Sequence, residues 1–131
     1  MKIKRAIVDS IIAKAKQELP DEACGYLLGK GDEITYHYPM TNTDHSPEHF
    51  SFDPAEQFNA IRYARGEALE IVANWHSHPE TPSRPSEEDI RLAYDPDILY
   101  LILSLAAGTP VLNGFRIQEG IVTKIDLEII E

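Results

Sequence analysis

An α/β fold, with a mixed β-sheet covered by helices, is predicted by three features of the 131-residue chain. Stretches of helical and strand periodicity alternate along it, with no segregation into an all-helical or all-strand half. The run Ile98 to Leu105 is almost wholly apolar, which marks a central strand buried on both faces. No repeat, low-complexity tract or Ser/Gly-rich linker divides the chain, so residues 1–131 are expected to form one domain.

The elements follow in order. A short strand over Lys2 to Lys4 precedes a helix from Arg5 to Leu19, where Ile7, Val8, Ile11, Ile12, Ala15 and Leu19 recur at helical spacing. Pro20 and Asp21 end it. Ala23–Gly29 and Glu33–Tyr38 read as a hairpin turning at Lys30-Gly31-Asp32. Residues 39–47 are polar and irregular. A short strand at Phe50 to Phe52 leads to Asp53 as N-cap and Pro54 at the first helical position. That helix runs to Arg65, with Gly66 as its C-terminal signal. Leu69 to Trp75 is a strand, Ser86 to Tyr94 a helix stopped by Asp95-Pro96, and Ile98 to Leu105 the buried strand. Turns at Gly108-Thr109-Pro110 and Glu119-Gly120 frame strands over Val111–Ile117 and Ile121–Ile130.

Composition narrows the function. Twelve basic and 22 acidic residues leave a net charge of −10, a poor match to a nucleic-acid binder, which carries a basic stripe. The single cysteine, Cys24, cannot form an internal disulfide, so a reducing, cytoplasmic setting is expected. Met1-Lys2-Ile3-Lys4-Arg5 is basic but leads into no apolar signal core, and the apolar run from Ile98 to Ala107 is about half a membrane span. No membrane partner is expected. Helix-covered faces and sheet edges leave a homodimer open.

The chemistry concentrates in residues 75–90. On an extended chain His76 and His78 point the same way, about 7 Å apart along the strand. Pro79, Pro82 and Pro85 stiffen the loop that brings Asp89 round from the first turn of the next helix. Two imidazoles and a carboxylate suit zinc first, with iron and cobalt open, and three protein ligands with a free fourth position mark a catalytic site. Ser86 and Asp89 also read as a capping box, with Glu87 and Glu88 complementing the helix dipole. A catalytic zinc needs a carboxylate to carry protons. Glu22, at the exit of the first helix, is one of the 22 acidic residues and reads by itself as a solvated carboxylate. His37, His45 and His49 read as ordinary polar histidines.

Glu22, His76-Ser77-His78-Pro79, Ser86 and Asp89 together resemble the JAMM (MPN+) metalloprotease signature: His-x-His, ten residues, Asp, with Ser three before the Asp. Pro20-Asp21-Glu22-Ala23-Cys24-Gly25-Tyr26-Leu27-Leu28-Gly29 is similar to the strand that carries the family's catalytic Glu, and Asn42, Phe50–Pro54 and Trp75 resemble small prokaryotic members. The resemblance implies a cytidine-deaminase-like three-layer sandwich with zinc held by His76, His78 and Asp89 and water in the fourth position. Glu22 would be the general base that later protonates the leaving amine, and Ser86 would donate to the developing oxyanion. The bond implied is the amide or isopeptide after the Gly-Gly tail of a ubiquitin-like protein. In small bacterial members the substrate is a sulfur-carrier protein, whose cleavage releases cysteine or exposes the Gly-Gly end.

The chain lacks room for the insertions that hold polyubiquitin. Cys24 reads as a buried core residue or a fourth ligand, and Trp75 as a channel wall or packing. Glu88 and Glu87 project about 100° and 200° from Asp89 and are poor substitutes for it. Two other readings stand beside the peptidase. One is a non-catalytic MPN scaffold, against which the five intact positions speak. The other is a RadC-like DNA-repair-associated protein, against which Ser77 in place of Asn and the net charge speak.

Overall fold

The computed structural model describes residues 1–131. In chain order the elements are β1 (Lys2–Lys4), α1 (Arg5–Gln17), β2 (Cys24–Lys30), β3 (Glu33–Met40), α2 (Pro54–Gly66), β4 (Glu70–His78), α3 (Glu87–Arg91), β5 (Leu99–Ser104), β6 (Val111–Gln118), β7 (Ile121–Ile125) and β8 (Glu128–Ile130). All eight strands form one mixed sheet in the order β7-β6-β5-β4-β2-β3-β1-β8. β4 and β5 run parallel, as do β1 with β3 and β8, and the other neighbours are antiparallel.

Helices cover both faces. Val8, Ile11 and Ala15 of α1 pack on Leu27, Ala73, Trp75, Leu99, Leu101 and Leu103 in the larger core. On the opposite face Tyr100, Ile102, Phe115 and Ile117 form a smaller core against Ile90 and Ala93. α2 lies on this second face: Tyr63 stacks on Tyr36 with ring centres 4.9 Å apart, and Gln57 donates to the Tyr26 hydroxyl. All six residues of β5 are buried. Each large aliphatic side chain sealed there contributes roughly 1.5–3 kcal/mol. β5 is interior, as expected, although β4 and β2 hold the centre of the sheet. No helix is long and apolar enough to cross a membrane.

Five of the structure's departures from the predicted elements have a physical reason in the fold. β3 continues through Pro39 to Met40; β1 pairs with it only at Glu33 and Ile34, so Pro39 lies on a free edge where a missing N–H is tolerated. Phe50–Phe52 is reduced to one bridge, Asn42 to Phe52, because the two rings turn onto Tyr26 and His76. α3 ends at Arg91 rather than Tyr94; the chain is turned back where the Tyr100 hydroxyl accepts from Asp95 N–H and donates to Asp95 C=O. The predicted strand 121–130 is two strands on opposite edges of the sheet, parted at Asp126-Leu127. The sheet curls until its edges approach, and Met1 ties the break by bonding Asp126 C=O and Glu128 N–H.

The fifth departure is at the end of α2. Gly66 is helical, and Ala68 takes the left-handed conformation at φ 54°. Bonds from Leu69 N–H to Ala64 C=O and from Ala68 N–H to Arg65 C=O close the helix around it. A side chain in this region costs about 1–2 kcal/mol, part of which returns as unfolded-chain entropy when glycine replaces it. Ala68→Gly is therefore expected to raise stability by up to about 1 kcal/mol, read by chemical denaturation with an unchanged m-value.

Candidate metal centre and active site

β4 extends beyond its predicted end because partners on both sides carry it to His78. His76 pairs with Cys24 of β2 and with Ile102 of β5, and His78 with Ser104. Alternation then sends Trp75 and Ser77 toward α1, and His76 and His78 to the opposite face. The two imidazoles converge, with Nε2 to Nε2 at 3.1 Å. Oδ2 of Asp89, delivered by the first turn of α3, lies 3.1 Å from each.

These three atoms are the only group of three or more His, Cys, Asp or Glu ligand atoms gathered closely enough to hold an ion. Tetrahedral coordination at about 2.0–2.1 Å separates ligand atoms by about 3.3–3.4 Å, close to the triangle observed. The proton arrangement also fits a cation. His78 Nδ1–H donates to Pro82 C=O at 2.9 Å, so Nε2 is the ring nitrogen left to face the cluster centre. His76 Nδ1 is buried with no partner. Burial raises the Asp89 carboxyl, but hydrogen bonds from both imidazoles outweigh it and hold the group well below the usual carboxylate range. Burial lowers the His78 imidazole, and its bonds to Asp89 and Pro82 reverse this into a net rise.

Glu22 enters the same face just before β2. Its backbone is clamped: N–H donates to Ser46 C=O, and C=O accepts from Asn42 Nδ2. Asn42 also donates to His49 C=O and accepts from Asp44 and Ser51 N–H, so one buried amide organises the loop from Thr43 to Phe52. The Glu22 residue is 5% exposed, and its Oε1 has no hydrogen-bond partner. Desolvation pushes this carboxyl up to about 8, opposed by His78 and aided by Asp89, Glu88 and Glu48. A carboxyl poised near neutrality can both take and return a proton.

Ser86 caps α3 and keeps its hydroxyl proton. Its Oγ accepts from Asp89 N–H at 3.0 Å, while Ser86 N–H donates to Asp89 Oδ2, a complete capping box. The hydroxyl proton stays free to donate.

Other sequence expectations resolve as follows. Cys24 is buried in β2 and outside the ligand cluster, its thiol pushed up to about 12 by burial. Trp75 does not line a channel: it is fully buried on the α1 side, where its indole N–H donates to His37 Nε2. That bond leaves the proton of His37 on Nδ1, facing Ser10 Oγ at 2.8 Å, so the pair has the wrong polarity for a nucleophile and its base. Glu88 binds His49 Nδ1 at 2.6 Å and does not substitute for Asp89.

Three contributors escaped the sequence reading of the site. Phe50 stacks on the His76 ring at 4.7 Å and 22°. Ser83 Oγ donates to Ile102 C=O, and Asn113 Nδ2 to Ser83 C=O, which fastens the proline loop to β5 and β6. The triad separates two clefts. One, about 390 Å³, is walled by Tyr26, Phe52, Tyr100, Ile102 and other apolar groups. The other, about 360 Å³, is lined mainly by charged and polar residues and holds Glu22, His78 and Ser86.

Comparison with known proteins agrees with this geometry. A family model described as prokaryotic homologs of the JAB domain matches residues 4–118. The chain is 36% identical to the CysO-cysteine peptidase of Mycobacterium tuberculosis over 98% of its own length and 90% of the relative's. It is 32% identical to a desampylase of Haloferax volcanii over 73% of this chain and 74% of that one. A solution structure of a Desulfitobacterium hafniense protein, 43% identical, superposes with a TM-score of 0.91 over 99% of this chain and 92% of that chain. The motif, the sheet and these matches converge on one assignment: the chain belongs to the JAMM/MPN+ family, among the prokaryotic homologs of the JAB domain.

Proposed function

We propose that residues 1–131 form a single zinc-dependent peptidase domain that hydrolyses the amide bond after the Gly-Gly tail of a ubiquitin-like or sulfur-carrier protein. The observation that carries this reading is one constellation: three ligand atoms 3.1 Å apart beside a buried carboxylate without a partner. The names of the Mycobacterium and Haloferax relatives, a CysO-cysteine peptidase and a desampylase, support the same substrate class.

His76, His78 and Asp89 would hold the zinc, and their donor set of two neutral nitrogens and one carboxylate oxygen suits it. Bound zinc supplies Lewis-acid chemistry, polarising water and carbonyl oxygen. Glu22 takes a proton from the attacking water and delivers it to the leaving nitrogen, so one carboxyl acts as base and then acid. Ser86 directs its free O–H at the developing oxyanion. Asn42 and Ser77 are positioning residues: Asn42 holds Glu22 C=O, and Ser77 Oγ accepts from Ala23 N–H.

Intact-mass spectrometry of a sulfur-carrier protein extended beyond Gly-Gly tests this directly. The zinc-loaded protein should trim the extension, and Glu22→Gln should retain zinc and lose trimming; equal turnover in that variant removes Glu22 from its role. The same substitution carries a stability signature in the metal-free protein. A carboxyl raised from 4.5 to about 8 stays protonated in the folded chain while the unfolded chain ionises, so it destabilises progressively as pH rises across that window. Metal-free Glu22→Gln should thus match the parent near pH 4 and exceed its melting temperature by a growing margin up to about pH 8.

Ser86→Ala should cost roughly 2.7–4 kcal/mol of transition-state stabilisation in kcat, with Ser86→Thr retaining most activity. A loss of about 1 kcal/mol in stability with kcat intact would leave Ser86 as a helix cap alone. His76→Ala should abolish stoichiometric zinc, measured by metal analysis of the purified protein, and unchanged zinc content would remove it as a ligand.

A further inference from the structure

The cleft that holds Glu22 has a charge pattern that the hydrolysis itself does not require. Its walls include Glu48, Glu80 and Glu88 alongside Glu22 and Ser86, with the imidazoles of His49 and His78 as the cation-forming groups. Glu88 is compensated, by His49 Nδ1 at 2.6 Å and Arg91 at 3.8 Å. Glu48 and Glu80 are exposed and take part in no ion pair. Glu22, 5% exposed and with an Oε1 that has no partner in the chain, lines this same cleft.

We propose that this cleft is the leaving-group site, and that Glu48 and Glu80 select against a leaving group with a free α-carboxylate. The substrate would then be a carrier joined through a lysine side chain, or followed by further peptide, rather than one ending in a single amino acid. The inference rests on the reading above that Glu22 protonates the leaving nitrogen. In that step water adds its oxygen to the carbonyl carbon, the C–N bond breaks, and the water proton passes through Glu22 to nitrogen. The nitrogen must therefore come within about 2.6–3.2 Å of Glu22, and whatever is bonded to it extends between Glu48 and Glu80.

A terminal amino acid places its carboxylate two bonds from that nitrogen, among carboxylates of the same sign. A lysine side chain brings four methylenes and a neutral backbone instead. The positive charge that develops on the departing amine is favoured by the same walls. The cleft on the other side of the triad is walled mostly by apolar and aromatic groups, includes neither Glu48 nor Glu80, and is free for the acyl side of the substrate. This selectivity would separate the chain from the amino-acid release that the Mycobacterium relative's name describes.

The test uses one sulfur-carrier protein ending in Gly-Gly-Cys, prepared with a free C-terminal carboxylate and with a C-terminal carboxamide. The zinc-loaded full chain should favour the carboxamide by about tenfold or more in kcat/KM at low salt, as expected for like charges at close range. Glu48→Gln/Glu80→Gln should bring that ratio toward one by speeding cleavage of the free acid. In the unmodified protein, raising salt to about 1 M, where screening acts within about 3 Å, should do the same. Equal or faster cleavage of the free acid overturns the proposal, as does a ratio that neither the double variant nor salt alters. If neither form is cleaved by a preparation with one zinc per chain, but a lysine-linked conjugate is, the charge of the α-carboxylate is not what discriminates, and the proposal is overturned while the peptidase reading stands. Cleavage of none of the three overturns the peptidase reading and this inference together.

Discussion

The register of β4 between β2 and β5 is the constraint on which the site depends. Strand side chains alternate faces, so the pairing that buries Ala73 and Trp75 against α1 also turns His76 and His78 to the opposite side. A slip of one residue would put both imidazoles into the apolar core and Trp75 into the cleft, exchanging every buried side chain of the strand at once. The hydrophobic core therefore enforces the geometry of the two imidazoles. Neither imidazole has to be held by a dedicated loop.

Against that rigid pair, the remaining members arrive from distant parts of the chain, each with its own anchor. Asp89 is brought by a helix of five residues, too short to be stable alone, and is held through its capping box and through the proline loop fastened to β5 and β6. Glu22 is held by backbone bonds to the Asn42-organised loop, and Phe50 from that loop stacks on His76. The polar network thus repeats one pattern: side-chain amides and hydroxyls bind loop backbone, and the loops place the side chains of the candidate site.

The same arrangement stores unfavourable electrostatics. Glu22 Oε1 and His76 Nδ1 are buried without partners. Such groups are costly in a low-dielectric interior and persist only where surrounding packing over-determines them. Here the surrounding packing is the apolar sheet centre, with β5 sealed on both faces. The strain is concentrated where proton transfer and metal binding would use it, and the core that offsets it lies one layer away.

Much of this was legible in the chain. Period-two alternation placed His76 and His78 on one face, the Ser-x-x-Asp spacing announced a capped turn that carries Asp89, and Asp53-Pro54 marked the start of α2. These are local properties, governed by backbone geometry within a few residues, and they hold wherever the segment sits. Sequence distance hid what depends on packing. Nothing near Glu22 distinguishes a solvated carboxylate from a buried one; only the meeting of β2, Asn42 and β4 desolvates it. Trp75 beside His76 reads as a neighbour of the site until pairing assigns it to the other face. The apolar run 121–130 has no internal sign that β7 and β8 belong to opposite edges, because the curl of an eight-stranded sheet is settled by pairings over a hundred residues apart. The residue types and their local spacing supplied the chemistry; long-range pairing and burial decided which atoms face one another, and so which of those groups can act together.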